Sequence, residues 1–244
     1  MTAVTRPYDS LTHYQCVRDF HEQFGHPKPD TIWESVFNDN PVLVNFRLDF
    51  IREEITELET GIKNLDPIEI LDGLCDILYV VHGAAIAFGI DLDQYCLYNR
   101  SVLSPTLPKT KEFIRECGYV WQRFILIYHS LCQLKHHFEE QDMTGVTHTL
   151  VMLLTDTYGL GIFMGFDMDA AFRLVHVNNM TKLCDSEEAA IETVAHYKAK
   201  PEFGKINVSY RLAPDQIHWV VFNKDTGKVL KSKTWVKPDF STVL

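Results

Sequence analysis

The chain has 244 residues, 46% of them hydrophobic and 23% charged, with 12 Gly and 10 Pro, which excludes collagen-like, low-complexity and disordered polymers and leaves enough length to bury a core unaided. Six cysteines occur without any CxxC pair, so neither a zinc site nor a disulfide framework is signalled and the thiols read as core residues. A net charge of −10 repels a phosphate backbone unless basic residues segregate, which disfavours polymeric nucleic acid as a partner.

The opening stretch MTAVTRPYDSLTHYQ lacks the apolar segment and cleavage pattern of a secretory leader, so the expected location is the cytoplasm. From Val42 to Lys63, Val44, Leu48, Ile51, Ile55, Leu58 and Ile62 recur every three or four residues, predicting an amphipathic helix with a charged outer face. The turn KNLDP follows, with Asp66 placed as N-cap and Pro67 as first residue of a second helix that runs to about Phe88 and stops at Gly89. Its apolar run, Ile77 to Ile90, is shorter than the roughly 20 residues that cross a bilayer, so no membrane is expected. His82 within it reads as a satisfied core histidine.

Shifting the sequence by 76 residues aligns positions 42–93 with 118–169 without a gap. Val44 then meets Val120, Arg47 meets Arg123, Leu58 meets Leu134, Gly83 meets Gly159 and Gly89 meets Gly165. Two copies of one helical hairpin are therefore expected, packed about a pseudo-two-fold axis as a homodimer of the single unit would be. SVLSPTLPKTK, residues 101–111, is the natural linker. A helix from Met168 to about Lys182 and another capped near Ser186 come next. After Pro201 the segments INVSYRL, IHWVVFN and KVLKSKTW read as short strands, with NKDTGK as the hairpin turn between the last two.

The chemistry concentrates in REEITE and DGLCD. Glu53 and Glu57 are four apart, Glu54 and Glu57 three, and Asp72 and Asp76 four, so each set converges on one face of its helix. Two unscreened charges about 4 Å apart cost about 4 kcal/mol at an effective dielectric of 20. Asp72 and Asp76 also lie among Ile70, Leu71, Leu74 and Ile77, where an unpaired charge is expensive. Oxygen donors without Cys or His suit Mg²⁺ or Mn²⁺. A di-iron bundle needs Glu-x-x-His, and no His here follows a Glu by three positions. No GxGxxG or GxxxxGK[ST] occurs either.

The stretches VRDFHEQFGHP, FRLDFIREEITEL and DPIEILDGLCDILYVVHGAAIAFGIDLD resemble the MazG-like group of all-α nucleoside triphosphate pyrophosphohydrolases, which includes relatives of dimeric dUTPases and phosphoribosyl-ATP pyrophosphohydrolases. The resemblance covers about residues 14–95 and resumes at VHVNNMTKL and DTGKVLK. It implies Mg²⁺, with Mn²⁺ as a substitute, held by Glu53, Glu54, Glu57 and Asp76. Asp72 joins them, displaced by one place from the family's usual Glu, where this chain has Gly73. It also implies hydrolysis between the α- and β-phosphates, with the cation neutralising phosphate charge and activating water, and Glu53 or Glu54 as catalytic base.

In the 76-residue register the acidic positions of the first copy become His129, Ser130, Gln133, His148 and Met152, so the second copy is degenerate. Asn178, Asn179 and Lys182, which resemble the family's later Asn and Lys motif, have no counterpart in the first copy. One composite site per chain is the expectation, with acids from the first copy and Asn179 and Lys182 from the second. Lys228 and Lys231 are further phosphate candidates, and His21 with Phe24, Trp33 and Phe46 a candidate base pocket. The expected organisation is all-α: a tandem MazG-like pseudo-dimer over residues 1–104 and 105–200, with a small β tail over 201–244. The expected activity converts a (deoxy)nucleoside triphosphate to monophosphate and pyrophosphate in pool control or sanitation, in a monomeric pseudo-dimer or homodimer. Phosphoribosyl-ATP hydrolysis and a non-catalytic helical scaffold stand as alternatives.

Overall fold

The structure, a computed structural model, describes residues 8, 10–95, 110–200 and 206–243. Nine α-helices and one two-stranded antiparallel sheet occur among them. The expected 101–111 linker, apart from its last two positions, and the boundary at 104/105 lie outside the described residues, and the boundary at 200/201 lies at their edge.

Helix α1 (His13–Phe24) starts on a capping box in which Thr12 and Gln15 exchange hydrogen bonds, and Gly25 ends it at φ +66°. After the single turn α2 (Val36–Asp39), α3 (Pro41–Asn64) and α4 (Pro67–Ala87) form the first long hairpin. Asp66 accepts from the Ile68 and Glu69 amides, a cap that stabilises a helix by about 1 kcal/mol. Gly89 takes φ +74°, and a Cβ there would lie 2.0 Å from the Thr31 carbonyl oxygen.

The short α5 (Lys111–Glu116) precedes the second hairpin, α6 (Gly118–Glu139) and α7 (Met143–Phe163). Its turns repeat those of the first in the 76-residue register. Leu65 and Gln141 occupy φ +55° and +56°. Asp66 and Asp142 cap the following helices, and Gly89 and Gly165 share φ +74°. Register-equivalent helices pack on each other, α3 on α6 and α4 on α7.

Helix α4 lies at the centre, against α1, α3, α7 and α8 (Met168–Met180). Residues 77–87 are buried without interruption, as expected for a helix that is apolar all round. The helix is 21 residues long and apolar enough to meet the length and composition of a membrane span, but its apolar surface is spent inside the bundle. His82 is buried as expected yet not satisfied, since neither ring nitrogen has a hydrogen-bond partner among the described residues.

Helix α9 (Glu187–Ala199), capped by Ser186, packs on β1 (Val208–Leu212) and β2 (Trp219–Asn223) around a second small core of Val194, Tyr197, Val208 and Val221. The two strands pair with Tyr210 opposite Val221. KVLKSKTW does not form the expected third strand and makes only the bridge Phe222 to Val229 beyond its turn. Beyond Leu230 its polar groups leave the sheet: the Lys233 amide donates to Thr193 Oγ1 of α9, and Ser232 Oγ donates to the Thr181 carbonyl just after α8. The chain thereby leaves the sheet edge and crosses to the mouth of the α3–α4 hairpin.

Candidate active site

One cavity of about 580 Å³ collects Glu53, Glu54, Glu57, Asp72, Asp76, Asn178, Asn179, Lys182, His21, Lys228 and Lys231 in its lining. Residues named from five separate stretches of sequence thus reach one space. α3 supplies the glutamates, α4 the aspartates, α8 the asparagines and the turn after it Lys182. The β tail supplies the other lysines.

Glu54 is 8% exposed. Burial, together with Asp76, Glu57 and Glu53, pushes its carboxyl well above the ordinary glutamate range. Burial and Asp72 raise Asp76 as well. Lys182 is held below the ordinary lysine value by burial, against the pull of Asp76. The acidic end is therefore short of positive charge even with lysines nearby.

Two carboxylates already have cationic partners from the tail. Lys228 Nζ lies 2.7 Å from Glu53 Oε2, and Lys237 Nζ lies 3.0 Å from Asp72 Oδ2. Hard oxygen donors and mutually raised carboxyls fit a divalent cation in kind. Among the described residues, however, no three His, Cys, Asp or Glu side chains converge as a ready-made ligand set. A cation that used Glu53 or Asp72 would compete with Lys228 or Lys237 for it.

The register of the second acidic pair follows from packing. A Cβ on Gly73 would lie 3.1 Å from Leu58 Cα, so position 73 faces α3 and Asp72 takes the cavity side. In the second copy His129, Gln133 and His148 are exposed and Ser130 is buried, with no carboxylate among them.

Aromatic residues also line the cavity, Phe20, His21, His26, Phe46 and Phe50, together with Arg47. Of the proposed base pocket, His21 and Phe46 line the cavity, but Phe24 is a fully buried core residue and Trp33 lies elsewhere, donating Nε1–H to Asp39. Both are aromatic without a cavity position, since Phe24 packs in the main core and Trp33 pairs with Asp39. Sequence reasoning missed Lys237, Trp235 and Arg47. The two tail residues follow an irregular crossing that no periodicity announces. Arg47 carried a usable signal, since it stands seven residues before Glu54 and so shares its helix face.

A model of the phosphoribosyl-ATP pyrophosphohydrolase family matches residues 17–97, the segment that holds α1, α3 and α4 with all five carboxylates. The uncharacterized protein L479 of Acanthamoeba polyphaga mimivirus is 37% identical over 247 residues, covering 97% of each chain. No solved structure matches the chain. Residues 17–97 are therefore a phosphoribosyl-ATP pyrophosphohydrolase domain, of the MazG-like, all-α pyrophosphohydrolase superfamily.

Proposed function

We propose that the chain is a divalent-metal-dependent pyrophosphohydrolase of nucleoside triphosphates, deoxynucleotides foremost, releasing monophosphate and pyrophosphate for nucleotide pool control or sanitation in the cytoplasm. The observation that carries this reading is the meeting of Glu53, Glu54, Glu57, Asp72 and Asp76 with Lys182, Lys228, Lys231 and Lys237 in the lining of one cavity. Such a set suits a bound cation on the carboxylates and a polyphosphate beside the lysines. Mg²⁺ or Mn²⁺ would neutralise phosphate charge and lower the pKa of water there. Lys182, Lys228 and Lys231 would hold the phosphates, and Asn179 would orient the nucleotide through its amide. Asn178 donates to the Val236 carbonyl, so its role is to hold the tail over the site. Glu53 or Glu54, once ionised, would take the proton from attacking water.

The shared turn geometry of the two hairpins supports a tandem duplication with one composite site, residues 1–104 giving the acids and 105–200 giving Asn179 and Lys182. A chain of this kind is complete as a monomeric pseudo-dimer, whether or not it pairs. The family's name favours a second substrate, phosphoribosyl-ATP. Pyrophosphate release from dNTPs, NTPs and phosphoribosyl-ATP, compared among wild type, Glu54→Gln and Lys182→Ala, tests both. Metal-dependent release that both substitutions cripple supports the reading, and no release from any nucleotide leaves a helical scaffold in its place.

A further inference from the structure

Arg47 is 5% exposed, lines the cavity, and has no carboxylate partner among the described residues. Its Nε–H is buried without an acceptor. Burial alone lowers its pKa to about 10. Its one polar contact is from Nη2 to His21 Nε2, a long 3.4 Å. His21 donates its Nδ1–H to the Pro27 carbonyl at 2.7 Å, so Nε2 carries the lone pair and that lone pair faces Arg47. The two side chains together offer the cavity donors only. An unpaired buried guanidinium is costly, and Gly83 leaves room for it, since a Cβ there would lie 3.1 Å from Arg47 Nη1.

The second copy shows how the same arginine is satisfied when nothing else will come to it. Arg123, the register equivalent of Arg47, places Nη1 3.1 Å from Asp156 Oδ1. The equivalent of Asp156 in the first copy is Val80, which also lines the cavity. Arg47 stands two helical turns from Glu54, about 10 Å along the axis. Its charge weighs on His21 and His26 and is not among the influences on Glu54 or Asp76. Its Cζ lies 5.3 Å from the centroid of the Phe46 ring, so an aromatic face stands beside its donors.

We propose that Arg47, oriented by His21, reads the nucleobase, selecting an edge with two adjacent acceptors, N7 and O6 of guanine or N3 and O2 of cytosine, and rejecting adenine. The inference rests on a nucleotide occupying this cavity as proposed above. Adenine sets an amino donor beside N7 and would aim that donor at the guanidinium.

The test is kcat/KM for dGTP, dCTP, dTTP and dATP with Mg²⁺, for wild type, Arg47→Met and Val80→Asp. Calorimetric titration of dGMP, dCMP and dAMP without metal runs in parallel. Wild type should favour guanine or cytosine over adenine by about tenfold or more, the discrimination of one good bidentate pair, and the panel says which of the two. Both variants should bring that ratio close to one: Met removes the donors, and Asp occupies them as Asp156 occupies Arg123. Equal or adenine-favouring ratios in wild type overturn the inference. So do wild-type ratios that persist in the variants, and so does a lower melting temperature of Arg47→Met with base ratios intact, which marks a structural arginine. If no triphosphate is hydrolysed, the proposed reaction fails, and the monophosphate titrations still decide the base reading.

Discussion

Lys228 Nζ sits 2.7 Å from Glu53 Oε2, a contact across 175 residues of chain that brings the β tail onto the acidic wall of α3. The same ammonium lies 4.5 Å from the centroid of the Phe50 ring. Its position is therefore fixed from two sides, by a carboxylate and by an aromatic face.

Because the Lys228 and Glu53 side chains remain 33% and 50% exposed, their pairing stabilises the fold by no more than about 1 kcal/mol. Lys228→Met should change the melting temperature little. It should bind Mn²⁺ alone more tightly, since Glu53 is released, yet show a several-fold higher KM for nucleotide, since a phosphate contact is lost. Calorimetric Mn²⁺ titration beside steady-state kinetics reads both. Weaker metal binding together with an unchanged KM would make the lysine a mere edge residue.

Glu54→Gln separates the chemistry of Glu54 from its cost. A carboxyl raised in the folded state keeps a proton that the unfolded chain has lost, so ∂ΔG/∂pH is negative from the ordinary glutamate value of 4.5 upward. Metal-free wild type should lose stability as pH rises through neutrality. The Gln variant should show a flatter curve and melt higher than wild type at pH 8, with pyrophosphate release down by about 10² or more. Thermal melts in EDTA from pH 5 to 9 measure the first effect. A wild-type curve that rises with pH would contradict this charge arrangement.

Much of this architecture could be read from residue order because its signals are local. Asp66, Pro67 and Gly89 bracket α4, and each acts through its own backbone within a few positions. The acids were legible for the same reason: helical spacing alone puts Glu53, Glu54 and Glu57 on one face. KVLKSKTW alternates like a strand, but only Lys228 and Leu230 bond to β2, and from Ser232 on its partners are Thr181 and Thr193, at the end of α8 and in α9. Lys237 and Trp235 depend on that same crossing. Phe24 and Trp33 show the converse limit, since aromatic residues near a site serve the core as readily as the cavity.

His26 gives a second pH dependence of opposite sign. Burial and the cations Arg47, Arg211 and Lys182 hold its pKa at about 3. Its ring stacks on Phe20 at 5.9 Å. The folded state stays neutral while the unfolded chain takes up a proton below 6.5, so this contribution is complete above pH 6.5 and is lost as the pH falls toward 3. His26→Phe should flatten the acid limb of the stability curve between pH 6.5 and 4. Urea midpoints at half-unit intervals check it, and a slope equal to that of wild type would place the acid sensitivity in another group.

Gly73 explains why Asp72, one place earlier than the family's usual acid, is the residue at the cavity. A Cβ at 73 would meet Leu58 at Cα, N and Cβ, all within 3.2 Å, and α3 and α4 approach this closely only where a side chain is missing. Gly73→Ala should push the hairpin apart, costing about 1–3 kcal/mol as overpacking does. It should also weaken Mn²⁺ binding, because Glu54 and Asp76 sit on the two helices that separate. Gly73→Glu should not restore metal binding to Asp72→Ala, since the new side chain starts from the face of α4 that is pressed against Leu58. Mn²⁺ titration of Asp72→Ala and of the Asp72→Ala, Gly73→Glu double variant decides the point. Recovery in the double variant would mean that α4 can rotate to present position 73, and that the cavity wall is set by the metal rather than by the packing of α3 on α4.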